Sequence, residues 1–306
     1  MRADHLSSGA MLRVDGLRKA FGEKTVLDGL SFEVASGEVV SLLGANGSGK
    51  STSLRCVVGL ERPDGGTITV DGVSARPGET TGARSSGELA RPLAPSEGVT
   101  ARSAEAVPTV AMVFQKIHLV PRRSVLDNVC AGALGRLSLS RSWSVLAFPR
   151  EVQAEAMACL DRVGLADRAR EKAGRLSGGQ QQRVAVARAL CQRAQVLLAD
   201  EPVSALDPAA SEQVMNLLRS LADDDGLAVA AVLHQPDLAR RFSDRILGLA
   251  GGRLVFDSSS EVTDQAVADL YRPALEALEA AEAAEAAVAG STAPKESTDS
   301  ATKEFA

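Results

Sequence analysis

The 306-residue sequence lacks three features that would each define a class of protein. It contains no apolar run of the roughly 18 residues that a membrane-spanning helix requires, so we do not expect it to cross a membrane. Residues 1–10 are polar and lack the apolar stretch of a signal peptide, which makes the cytoplasm the expected compartment. The formal net charge is −5, with 34 basic against 39 acidic residues, so no nucleic-acid partner bound through bulk positive charge is expected.

Cysteine and histidine are also scarce. The four cysteines, Cys56, Cys130, Cys159 and Cys191, form no Cys-x-x-Cys pair and lie among apolar residues. The three histidines share no spacing typical of a metal site. We therefore predict that the cysteines pack in the core of a protein from a reducing compartment, rather than forming disulfides or binding a metal.

What remains is the composition of a globular protein, 45% hydrophobic and 24% charged. Short apolar runs at 12–34 predict short antiparallel strands. Apolar strands at 39–43, 110–114, 196–199 and 227–233 then alternate with segments of helical periodicity. This alternation predicts an α/β fold with a mainly parallel sheet that is covered on both faces.

Composition also divides the chain into regions. Residues 1–11 are predicted to be disordered, and residues 12–272 to form one domain. Within that domain, residues 76–106 are rich in small and polar residues and nearly devoid of large apolar ones, which indicates a flexible surface insertion. Residues 273–306 predict an Ala/Glu-rich helix followed by a disordered tail.

The first chemical motif is a phosphate loop, residues 44–51, which fits the pattern G-x-x-x-x-G-K-[ST] between an apolar strand and a helix. Its glycines let successive backbone N–H groups turn toward an anion, and the following helix adds its positive end. Lys50 can then reach the terminal phosphates of a nucleotide, and the Ser51 hydroxyl can bind Mg²⁺. A glycine-rich turn with a surface lysine is the weaker alternative. The predicted cofactor-binding residues here are Gly44, Ala45, Asn46, Gly47, Ser48, Gly49, Lys50, Ser51 and Thr52.

Two acids, Asp200 and Glu201, end the apolar strand that starts at Val196. An acid at the carboxyl end of a parallel strand lies where open α/β sheets bind their ligands. Asp200 is placed to hold the Mg²⁺ shell and Glu201 to polarise an attacking water. Alone, the pair would be an ordinary strand end, but the phosphate loop makes the functional interpretation the stronger one.

A third motif, the signature segment (residues 176–180, Leu-Ser-Gly-Gly-Gln), precedes a helix. Ser177 suits an N-cap position, and the two glycines allow close backbone approach. The segment therefore indicates either a second anion site at a helix N-terminus or simply a capped helix start.

The order of phosphate loop, signature segment, Asp200-Glu201 and His234 resembles the nucleotide-binding subunit of an ABC transporter, over about residues 12–272. The resemblance implies a P-loop NTPase α/β core with an N-terminal antiparallel β part and a helical subdomain at about 119–176. It also implies a homodimer that sandwiches two ATP molecules head to tail, with ATP and Mg²⁺ as cofactors.

The same resemblance assigns roles to single residues. Phe21 would stack on adenine, Gln115 would sense the metal and the attacking water, and His234 would contact the γ-phosphate. Asp207 would lie at the dimer contact, and the signature segment would reach the nucleotide that the other copy holds. The implied catalytic residues are Glu201, His234, Lys50 and Gln115, the metal-binding residues are Ser51, Gln115 and Asp200, and the further cofactor-binding residues are Phe21, Ser177, Gly178, Gly179, Gln180 and Asp207.

A closer resemblance concerns residues 132–136, 148–151, 233–235 and 252–257, which are similar to phosphonate-importer ATPases. It implies an ATPase at the cytoplasmic face of the cell membrane, peripheral to it, that powers phosphonate uptake with a permease and a solute-binding protein. Three alternatives stay open: an importer ATPase for phosphate, phosphite or another solute, a non-transport ATPase of phosphonate metabolism, and a soluble ABC protein of DNA repair or translation. The last usually carries a coiled coil or duplicated cassettes, and the sequence has neither.

Overall fold

The structure is a computed structural model. It describes residues 10–71, 73–75, 110–137, 148–259, 262–272 and 275–276. The insertion predicted at 76–106 lies outside these residues, as do residues 1–9 and the tail from residue 277. The predictions for these three stretches therefore stay predictions. The disorder predicted for residues 10 and 11 is wrong, because β1 begins at Ala10 and pairs with β2 from there.

Strands and helices alternate through the described part of the chain. The strands are β1 (Ala10–Phe21), β2 (Lys24–Ala35), β3 (Val39–Leu43), β4 (Gly65–Val70), β5 (Val73–Ala75), β6 (Val110–Val113), β7 (Val196–Asp200), β8 (Ala228–Val232), β9 (Arg245–Ala250) and β10 (Arg253–Ser259). The helices are α1 (Lys50–Val57), α2 (Val125–Cys130), α3 (Arg150–Arg162), α4 (Gly178–Cys191), α5 (Pro208–Asp225) and α6 (Pro236–Phe242). Residues 264–272, the C-terminal helical segment, are helical as well.

An antiparallel sheet of order β2-β1-β4-β5 forms the N-terminal part, as predicted. The prediction of several short strands between residues 12 and 34 is wrong, because two strands of 12 residues each run through this region. Gly16 and Gly29, with φ of 59° and 78°, lie where the pairing register shifts. These are β-bulges, which interrupt the apolar pattern without ending a strand.

The second sheet has the order β10-β9-β3-β8-β7-β6. All its pairings are parallel except that of β9 with β10. Along β3 the side chains alternate between two hydrophobic clusters, with Val39 and Leu43 in one and Val40 and Leu42 in the other. The sheet is therefore mainly parallel and covered on both faces, as the apolar strands predicted.

Three helices, α2, α3 and α4, pack together beside this sheet. Gly132 comes so close to α4 that a Cβ there would lie 2.1 Å from the carbonyl oxygen of Arg188. The described part of the predicted helical subdomain is thus packed against the helix that the signature segment precedes. None of the described helices has both the length and the apolar character to cross a membrane.

The cysteines occupy the positions expected of core residues. Cys56, Cys130 and Cys191 are buried, Cys159 is half-buried, and all four are free thiols. Burial raises the pKa of the Cys56 thiol to about 11. These thiols therefore act as packing groups, as the surrounding apolar sequence predicted.

Candidate nucleotide-binding site

The carboxyl ends of four neighbouring parallel strands lie side by side in the second sheet, and each strand is followed by predicted site residues. The phosphate loop follows β3, Gln115 comes two residues after β6, Glu201 follows β7 and His234 comes two residues after β8. The sheet order β3-β8-β7-β6 therefore places these residues along one crevice, where open α/β sheets bind ligands.

The phosphate loop is shaped by its glycines. Gly44 has a φ of 150°, and a Cβ there would lie 2.2 Å from the carbonyl oxygen of Leu249. Gly49, with a φ of 103°, is the N-cap of α1, and a Cβ there would lie 2.9 Å from the carbonyl oxygen of Val26. The chain thus needs glycine here both for backbone conformation and for space, and α1 begins directly at Lys50.

Lys50 is buried within the loop, with 5% of its surface exposed. Its Nζ atom donates hydrogen bonds to the carbonyl oxygens of Gly44 (2.7 Å) and Ala45 (2.9 Å). Burial lowers the pKa of Lys50, and the nearby charges of Glu201 and Asp200 act in the opposite direction. A buried ammonium group needs polar partners, and here it has loop carbonyls that a phosphate could replace.

Ser51 and Asp200 form the next pair. The Ser51 hydroxyl donates to Oδ1 of Asp200 at 2.7 Å. Burial raises the pKa of the Asp200 carboxyl group, while the hydrogen bond from Ser51 lowers it. A hydroxyl and a carboxylate side by side are hard oxygen donors, so this pair fits the requirements of Mg²⁺.

Glu201 is held by two predicted site residues at once. The side-chain amide of Gln115 donates to Oε2 at 2.5 Å, and Nε2 of His234 lies 2.6 Å from Oε1. The backbone of Glu201 has a φ of 51°, a left-handed conformation that costs free energy for a residue other than glycine. The structure therefore brings Gln115, His234 and Glu201 together at the strand end.

A cavity of about 270 Å³ lies over the phosphate loop. It is lined by residues 46–52, by Glu201, and by Lys24 and Val26 of β2. The sequence did not predict that Lys24 and Val26 line the cavity. Lys24 pairs with Phe21, so Lys24 and Phe21 lie together at the hairpin end of β1 and β2. Phe21 does not line the cavity. The residue is 48% exposed, and the Lys19 ammonium lies over its ring, 5.0 Å from the ring centroid.

The signature segment and Asp207 lie together, apart from this cavity. Ser177 and Gln180 form a reciprocal capping box at the start of α4, with bonds of 3.3 and 3.0 Å. A Cβ at Gly179 would lie 3.0 Å from Cβ of Ala210, whose N–H donates to Asp207 at 2.9 Å. None of residues 177–180 is among the described residues that line the cavity.

One contact to the phosphate loop was not predicted. The Tyr271 hydroxyl accepts a hydrogen bond from the N–H of Gly44 at 3.3 Å. Tyr271 is the only tyrosine in the sequence, and it follows β10 by twelve residues. Tyr271 lies four positions after Val267, a helical spacing that predicts a contact with the core. Nothing in the sequence indicates that Tyr271 contacts the phosphate loop.

The fold and the loop define a P-loop nucleotide-binding protein. The family model described as ABC transporter matches residues 27–204, which is more than half of the chain. The chain therefore belongs to the ABC transporter family, as the order of its motifs implied.

Curated relatives extend the similarity over most of the chain. The phosphonates import ATP-binding protein PhnC of Frankia casuarinae is 48% identical over 263 residues, covering 85% of this chain and 96% of that protein. The hypophosphite import ATP-binding protein HtxD of Stutzerimonas stutzeri is 42% identical and covers 85% of this chain and 71% of that protein.

Solved structures agree with the fold. A dimeric structure of MJ0796, a bacterial ABC transporter cassette, is 30% identical with a TM-score of 0.63 and covers 83% of this chain and 100% of that chain. A dimeric post-hydrolysis structure of the same cassette, bound to ADP and Pi, is 28% identical with a TM-score of 0.60 over the same shares.

Proposed function

We propose that this chain is the ATP-hydrolysing subunit of an ABC importer that takes up phosphonate. The observation that carries hydrolysis is the Glu201 carboxylate, held between Gln115 and His234 beside the phosphate loop. The solute assignment is supported by the similarity to the PhnC proteins, one of which is 48% identical.

In this proposal, catalysis rests on positioning and charge stabilisation. Lys50 exchanges the carbonyl oxygens of Gly44 and Ala45 for phosphate oxygens, and the backbone N–H groups of the loop surround the rest of the phosphate chain. Glu201 orients the attacking water, and His234 and Gln115 fix the direction of its carboxylate. Ser51 and Asp200 would hold Mg²⁺, which supplies positive charge at the terminal phosphates.

We further propose a head-to-tail homodimer. The signature segment and Asp207 are grouped with each other and not with the cavity of their own chain, which supports a role toward a second copy. The dimeric cassettes among the similar structures support the same arrangement.

The permease would dock in an apolar groove of about 320 Å³, placing this subunit at the cytoplasmic face of the membrane. The groove is lined by Leu60, Met112 and Phe114, and by Arg188 of α4. Phe114 directly precedes Gln115, so a segment seated in the groove would act on the residue that contacts Glu201. A solute-binding protein would complete the importer.

A mixed-subunit assay tests the dimer. A Lys50→Ala copy and a Gly179→Asp copy should each be inactive alone. Mixing them should recover hydrolysis, because one site of the mixed dimer then combines an intact Lys50 with an intact signature segment. No recovery, with mixed dimers shown to form, would contradict the head-to-tail arrangement.

A transport assay tests the solute. We expect the assembled complex to take up a phosphonate in an ATP-dependent way and to lose uptake with Lys50→Ala. Hypophosphite is the competing solute, since HtxD is 42% identical to this chain. Uptake of hypophosphite without uptake of a phosphonate would overturn the phosphonate assignment and leave the ATPase assignment standing.

A further inference from the structure

The hydroxyl of Tyr271 joins the C-terminal helical segment to the first residue of the phosphate loop. It accepts the N–H of Gly44 at 3.3 Å across 227 positions of sequence. The Tyr271 side chain is half-buried and packs against the hydrophobic cluster that contains Val39 and Leu43 of β3. Its hydroxyl therefore reaches the loop from a side chain anchored by packing.

Gly44 is held from three sides. Its N–H donates to Tyr271, its carbonyl oxygen accepts from Lys50 at 2.7 Å, and its Cα faces the carbonyl of Leu249. In the proposed mechanism, Lys50 leaves the carbonyl for a phosphate. Tyr271 then remains the side chain that fixes Gly44 by a hydrogen bond.

The segment that carries Tyr271 is itself fixed to the catalytic core. Leu270 of the segment and Val262, two residues before the segment begins, are buried, and Arg240 of α6 donates to the carbonyl oxygen of Val262 at 2.9 Å. Arg240 also pairs with Asp264 at 2.6 Å. The segment therefore contacts the phosphate loop through Tyr271 and contacts α6 through Arg240. Because α6 begins two residues after His234, the second contact also lies close to the site in sequence.

We propose that Tyr271 is a positioning residue that holds the first peptide of the phosphate loop in the conformation that binds nucleotide. The C-terminal helical segment is then part of the nucleotide-binding unit, although it lies beyond the 27–204 region that the family model matches. This inference rests on the proposed function, since it takes the loop to be the nucleotide site.

The test is Tyr271→Phe, which removes the hydroxyl and keeps the ring. We expect the Kd for ADP, measured by calorimetry on the full chain, to rise about 3- to 10-fold, the factor that one net hydrogen bond is worth. The KM for ATP should rise in parallel, while kcat at saturating ATP falls by a smaller factor. A rise in Kd and KM that is larger than the fall in kcat distinguishes a positioning role in the loop from a general loss of structure.

Val267→Ala is the matched control, because Val267 packs against the same core from the same segment. It should lower the Tm and leave the Kd for ADP unchanged at temperatures well below the Tm. If Tyr271→Phe behaves like Val267→Ala, or like the unmutated chain, the positioning role is wrong. An unmutated chain that binds no ADP would instead overturn the proposed function.

Amide hydrogen exchange gives a second measurement that needs no variant. The Gly44 N–H should be protected in the unmutated chain without nucleotide, since Tyr271 accepts its hydrogen bond. Exchange at the rate of an exposed loop would overturn the contact, whether or not Tyr271→Phe folds.

Discussion

His234 and Glu201 meet at the carboxyl ends of two adjacent strands, with Nε2 of His234 2.6 Å from Oε1 of Glu201. The second carboxylate oxygen accepts the Gln115 amide at 2.5 Å. Both oxygens of one acid are therefore directed by side chains from separate strands. Such an arrangement orients a carboxylate before any substrate is present, which is how a preorganised site lowers a barrier.

Glu201→Gln should separate binding from hydrolysis. The amide keeps the size of the side chain but loses the charge that orients and polarises the attacking water. We expect hydrolysis to fall by about 100-fold or more, with ATP affinity nearly unchanged. Phosphate release and ADP or ATP titration measure the two effects, and size-exclusion chromatography should detect an ATP-trapped dimer. Near-normal turnover would remove Glu201 from catalysis.

His234→Ala should lower kcat more than it raises KM. The variant removes one of the two side chains that fix the Glu201 carboxylate, while the phosphate loop stays intact. We expect a loss of kcat of about 10-fold or more, since such hydrogen bonds to charged groups are worth roughly 1.5–3 kcal/mol. Asp167→Ala, at an exposed acid that pairs with Arg168, is the control and should retain full activity.

Gly44→Ala should abolish nucleotide binding. The added Cβ would lie 2.2 Å from the carbonyl oxygen of Leu249, so the loop or the strand has to move. Gly16→Ala is the control, because Gly16 also has a positive φ but open space around it. It should lower stability by about 1–2 kcal/mol and leave ADP binding intact. Equal ADP affinities for the two variants would contradict the close approach at Gly44.

Replacing residues 76–106 with a short Gly-Ser linker should leave ATPase activity largely intact. The segment offers few side chains that could form a core, and changing the length of a loop alters its closure entropy only slowly. Thermal unfolding and phosphate release measure the outcome together. A replacement that prevents folding would show that the segment is structural.

The sequence predicted the site residues that follow apolar strands, because a buried parallel strand has a recognisable composition and its end has a fixed place in an α/β sheet. Asp200 and Glu201, at the end of the strand that starts at Val196, are examples, whereas Gln115 and His234 were assigned only through the resemblance to the ABC transporter family. It could not predict the sheet order that aligns them, since the pairing of β3 with β8 joins residues far apart in the chain. Tyr271 was missed for the same reason, because its partner is a distant backbone N–H.

The order of the second sheet also determines how firmly each part of the site is held. β6, which leads to Gln115, is an edge strand of four residues paired only with β7 among the described strands. β3, β7 and β8, which lead to the rest of the site, each pair on both sides. Displacing β6 would break hydrogen bonds to one neighbouring strand among the described strands, whereas displacing β3 or β7 would break hydrogen bonds on both sides. Gln115 therefore follows the strand that the sheet holds least, and Phe114, directly before it, lines the apolar groove.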